Sequence, residues 1–183
     1  AATGSNGYTS SLSPEARDDL NFKARLLDFW VSKEFTLGEE RARVRVAANM
    51  LVKGVPESAC VDWRKPGAGT IFGGIVGSSG YRGRSIGMPD PNQLTGRHSG
   101  EFYAAGGKPL TVSLINTPES RMRCTISITF VPQTGRDYEI TMGTAIQRQG
   151  FGKPDKSACS ASVADITGGQ SKPVPTQIAP RCR

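Results

Sequence analysis

A chain of 183 residues is long enough for one domain with a hydrophobic core and too short for two ordinary ones. Only 37% of it is apolar, and 22 Gly with 12 Pro supply frequent turn and helix-breaking positions, which excludes an all-helical fold and favours many short strands. The formal charge of +7 is uneven: residues 1–52 hold seven basic and seven acidic side chains, leaving 16 basic against 9 acidic beyond them. Without Lys and Arg clusters interleaved with aromatics, that excess fits solubility or an anionic surface partner and gives no sign of nucleic-acid binding.

In chain order, residues 1–12 are small and polar, with no charged-then-apolar leader, and read as a flexible leash at a mature or trimmed start. A helix is expected over about 14–32, with Ser13 as its cap and Pro14 in its first turn. Leu20, Ala24, Leu27 and Val31 fall on one face of it, broadened by Phe22, Leu26, Phe29 and Trp30, as a helix packed on a sheet requires.

From about Arg41 the apolar period changes to two. Strands are expected over 44–52, 59–63, 70–76, 85–88, 101–104, 110–114, 122–130, 138–142 and 158–166. The clearest is 122–130, where Met122, Cys124, Ile126, Ile128 and Phe130 alternate with Arg123, Thr125, Ser127 and Thr129, so Cys124 faces the core with Ile126 and Ile128. The short turn Pro132, Gln133, Thr134, Gly135 predicts that this strand pairs with the next as a hairpin. Trp63 and Tyr138 read as large core or half-buried fillers without a ligand role. The fold class is mainly β: an antiparallel β-sandwich of about 7 to 9 short strands with one N-terminal α-helix, the domain covering 13–167. A closed barrel is the alternative. Residues 168–183 lack pattern and read as an irregular tail, tied down if Cys182 is oxidised.

The four cysteines, Cys60, Cys124, Cys159 and Cys182, are 64, 35 and 23 positions apart, with no C-x-x-C pair and a single histidine, His98. This spacing does not suit a zinc site and fits two long-range disulfides, hence an exported protein in the periplasm or outside the cell. Four cysteines allow three connectivities; Cys124 with Cys159, in strands close in sequence, leaves Cys60 with Cys182.

Catalytic patterns are missing. The glycines from Gly67 lack the third small residue of a dinucleotide fingerprint, with Phe72 in its place, and the stretch Gly77 to Ser85 puts Arg84 where a phosphate loop needs lysine. His98 lies in a polar loop with no nucleophile elbow near it, and acidic residues mostly stand singly beside basic ones, so a carboxylate pair for glycoside hydrolysis has no support in the sequence. No cofactor and no enzymatic activity are expected. The loop region from Gly80 to Arg97 carries Tyr81, Arg82, Arg84 and Arg97 against Asp90 alone; Arg82, Arg84 and Arg97, with Lys108 as a further candidate, are positioned in sequence to grip an anionic glycan or lipid headgroup.

Several phrases in order, among them Ala42-Arg43-Val44-Arg45-Val46, Cys60-Val61-Asp62-Trp63, Gly87-Met88-Pro89, Gly100-Glu101-Phe102-Tyr103, Gly107-Lys108-Pro109-Leu110-Thr111-Val112 and Gly135-Arg136-Asp137-Tyr138-Glu139, resemble a group of uncharacterised envelope lipoproteins of Gram-negative bacteria. The resemblance spans about 42–166. It implies an exported, periplasmic or outer-membrane-associated β-sandwich with no assigned activity, acting through surface contacts with another envelope component. Those lipoproteins are often tethered by an acylated N-terminal cysteine, where this chain has Ala1, so contact with a membrane is expected only through an anchor absent from these 183 residues.

Overall fold

The computed structural model describes residue 34 and residues 40–72, 80–90, 98–115, 125–147, 149–153 and 156–183. The expected leash, the expected helix over 14–32, Arg97 and Cys124 lie outside the described residues. Among those described there is no α-helix, and no helix long and apolar enough to cross a membrane.

Among the described residues, ten strands form two five-stranded sheets. The first holds β1 (Arg41–Ala48), β4 (His98–Ala105), β7 (Asp137–Gln147), β8 (Lys156–Asp165) and β9 (Lys172–Val174) in the order β4-β1-β7-β8-β9. The second holds β2 (Leu51–Val55), β3 (Gly69–Phe72), β5 (Leu110–Ile115), β6 (Ile126–Phe130) and β10 (Gln177–Ile178) in the order β10-β6-β5-β2-β3. Val44, Val46, Phe102, Tyr138, Ile140 and Met142 from the first sheet meet Val52, Ile71, Val112, Leu114, Ile128 and Phe130 from the second in one apolar core, a sandwich-like arrangement. Each set sits at alternate positions of its strands, so the period of two that marks the sequence is the period with which the sheets bury their inner faces.

Three expected strands differ from the reading. The segment 44–52 is not one strand: the chain leaves the first sheet at Ala48, and Leu51 begins β2 in the second. Asn49 makes the break possible. Its amide donates to the Thr144 carbonyl (3.1 Å) and accepts from the Thr144 N–H (3.2 Å), standing in for the backbone that has turned away. Residues 59–63 form turns with one isolated bridge, Val61 to Arg181, and 85–88 run irregularly.

The expected hairpin between 122–130 and the following strand is overturned: β6 and β7 belong to different sheets. The connection crosses one end of the sandwich. The Gly135 N–H donates to the Arg41 carbonyl (3.0 Å) and the Gly107 N–H to the Pro132 carbonyl (2.7 Å), with Gly135 at φ +78°. Alternation dictates which face a residue takes but not which strand lies beside it. β7 instead pairs in parallel with β1, Val44 opposite Tyr138, and the long connection that a parallel pair requires runs through the whole second sheet except β10.

The C-terminal segment, expected as irregular, supplies a strand to each sheet: β9 pairs with β8 and β10 with β6. The other edges are also managed. Residues 81–86 run along the outer edge of β4, where the Gly83 N–H donates to Ser99 and the Glu101 N–H to Arg84, while the Tyr81 N–H reaches Ile71 in β3. The segment bridges the open side between the two sheets and blocks β4 as a template for another strand.

A candidate binding groove framed by a disulfide

The outer face of the second sheet carries a polar ladder, Lys53 beside Ser113 beside Ser127 in register across β2, β5 and β6. The Ser113 and Ser127 hydroxyls hydrogen-bond at 2.6 Å. Residues 56–68 fold back over this face. The Thr111 hydroxyl donates to the Ser58 carbonyl (2.7 Å), and Trp63 brings its ring over the buried Lys53, whose Nζ lies 6.0 Å from the ring centroid.

The covering segment is fastened to the C-terminal strand. Cys60 and Cys182 form a disulfide with their Cα atoms 5.0 Å apart, the Val61 N–H donates to Pro180 (2.8 Å) and the Cys182 N–H to Val61 (3.1 Å). This is the pairing expected for these two cysteines. Cys159 is disulfide-bonded too and packs against the core from β8; its expected partner, Cys124, lies outside the described residues.

Between the two fastened segments lies an open groove of about 660 Å³. Ser113, Ser127 and Thr125 contribute hydroxyls to its floor, Trp63 and Arg64 line one side, and Arg181 lines the other. Burial alone would raise the Asp62 carboxyl, but hydrogen bonds from the Arg64 N–H (2.9 Å) and guanidinium (3.1 Å) outweigh it and hold the group below the ordinary carboxylate range. Trp63, read from sequence as a core or half-buried filler without a ligand role, is half-buried and lines this groove.

The arginines singled out in sequence are not brought to the groove. Arg84 donates to Glu34 (2.7 Å), and Glu34 also accepts from the Tyr103 N–H, so Arg84 fastens the chain before β1 to the β4 edge. Arg82 is exposed and bridged through its backbone to Gly100, and Arg97 lies outside the described residues. Tyr81 is unsuited to gripping a ligand, because it is buried and stacked on Phe102 with centroids 5.3 Å apart; burial pushes its hydroxyl well above the ordinary tyrosine range. His98 is exposed at the start of β4. Among the described residues no group of three His, Cys, Asp or Glu side chains could hold a metal ion.

Sequence reasoning missed the groove because its walls, joined at Cys60 and Cys182, are 122 positions apart. The one available signal was Cys60, three residues from Trp63, pairing with Cys182 beside Arg181. No protein-family model matches the chain, and no curated protein matches it either.

Proposed function

We propose that this chain is a non-enzymatic, exported protein of the cell envelope that acts through surface contacts with another envelope component. The observation that carries the reading is the Cys60–Cys182 disulfide, which holds the covering segment and the C-terminal strand together on the second sheet. Such bonds persist in oxidising compartments and are rare in the cytosol. The resemblance of its phrases to envelope lipoproteins supports the same compartment, and the basic excess beyond residue 52 suits the anionic surfaces found there. Fractionation of native host cells tests it: the protein is expected in the periplasmic or membrane fraction, and recovery in the cytosol sinks the reading.

A further inference from the structure

The groove on the second sheet has the chemistry of a ligand site. It lies on a sheet face, where the β5–β6 ladder already uses the backbone groups, so a ligand must be held by side chains and not by added strand pairing. Its lining offers the hydroxyls of Thr125 and Ser127, the Trp63 ring and two guanidinium groups, Arg64 beside the Asp62 carboxylate on one wall and Arg181 on the other, with Ile115 and Ile178 as apolar surface.

We propose that this groove binds an acidic oligosaccharide. Hydroxyls at Ser127 and Thr125 can donate to and accept from sugar hydroxyls, and the Trp63 ring offers an apolar face for a pyranose to stack on. Arg181 is exposed and makes no ion pair with a described residue, and it is free to take a uronate carboxylate or a sulfate. Arg64 is engaged by Asp62 on the opposite wall, so Arg181 is the cation that carries the site. The Cys60–Cys182 bond fixes the two walls at one separation before ligand arrives, which limits the ordering cost of binding. The inference deepens the envelope reading by naming a partner class.

The test is calorimetric titration of the purified, oxidised chain with a hyaluronan hexasaccharide, beside chitohexaose as an uncharged control. Binding of the acidic sugar is expected, weakened by about tenfold or more in Trp63→Ala and about tenfold in Arg181→Ala, with Trp63→Phe retaining most of it. Thermal melting of each variant separates loss of binding from loss of fold, and Arg181→Ala removes only an exposed side chain. Arg82→Ala is expected to bind as the parent does. No binding at millimolar sugar, equal binding of the neutral control, or affinity unchanged in Arg181→Ala overturns the proposal. Loss in Arg82→Ala alone overturns the groove as the site. None of these results moves the protein between cell fractions, so failure here is distinguishable from failure of the envelope reading.

Discussion

The Arg45 guanidinium donates from Nε to the Glu139 carboxylate at 2.8 Å, with both side chains buried on the face of the first sheet that points away from the core. Its Nη1 reaches Glu101 at 2.8 Å and the Pro89 carbonyl at 2.7 Å. Glu101 and Glu139 are the register partners of Arg45 on either side, in β4 and β7, so the three charges form one row across the sheet. The row below it repeats the device, Arg43 bonding both oxygens of Asp137 at 2.7 and 2.8 Å and donating to the Gly87 carbonyl at 3.0 Å. The segment 86–89, which overlaps the strand expected over 85–88, is held over the sheet by these arginines.

Arg45→Met is therefore expected to destabilise the fold by about 3–5 kcal/mol, since it leaves two buried carboxylates without a cation. Urea denaturation measures this. Arg45→Met combined with Glu101→Gln and Glu139→Gln should recover much of the loss, because no buried charge is then uncompensated; a triple variant as weak as the single one contradicts the assignment.

Asp165 contributes to the pH dependence of stability in acid. Burial would raise its carboxyl, but the Thr167 hydroxyl (2.6 Å) and N–H (3.0 Å) and the Arg136 guanidinium (2.9 Å) donate to it and hold it below the ordinary range. A group depressed on folding contributes stability that is present above its unfolded value, near pH 4, and is lost as pH falls through the folded value. Asp165→Ala is expected to lower stability at pH 7 by about 1–3 kcal/mol and to flatten the fall in melting temperature below pH 4. An unchanged acid limb in the variant rules out this role.

Gly100 is required by close approach. A Cβ there would collide with the carbonyl of Tyr81, whose chain crosses the β4 edge at that point, and backbone on both sides cannot yield as a flexible side chain could. Gly100→Ala should cost about 1–3 kcal/mol and release the segment that carries Tyr81. Hydrogen exchange at the Gly83 and Glu101 amides, both bonded across this edge, is expected to accelerate in the variant.

Breaking the disulfide by Cys60→Ser with Cys182→Ser is expected to cost about 2–5 kcal/mol, because the bond closes a loop of 122 positions. Thermal melting of the oxidised parent and the double variant measures it, and equal midpoints would contradict a stabilising bond.

What the sequence made legible follows from what alternation encodes. The strands around Val112, Ile128 and Ile140 were found, with the correct faces turned inward, because burying one side of a pleated strand imposes a period of two. Pairing was illegible: a six-residue connection after Phe130 can turn back within one sheet or cross to the other, and only the bonds of Gly135 and Gly107 to distant carbonyls decide it. The charged rows left a faint trace. Arg43 and Arg45 are spaced by two, as are Asp137 and Glu139, the complement that two neighbouring strands in parallel register require. The tail gave no trace beyond Cys182, since strands of three and two residues are too short to show a period. In the basic loop, sequence alone cannot show that Arg84 is matched by Glu34, fifty positions earlier.

The most direct test of an exported, disulfide-held protein is a count of free thiols in the denatured, unreduced chain isolated from its native host. With all four cysteines in disulfides the count is zero, as the account predicts. Four free thiols would show that the bonds do not form where the protein lives, and would contradict the envelope assignment.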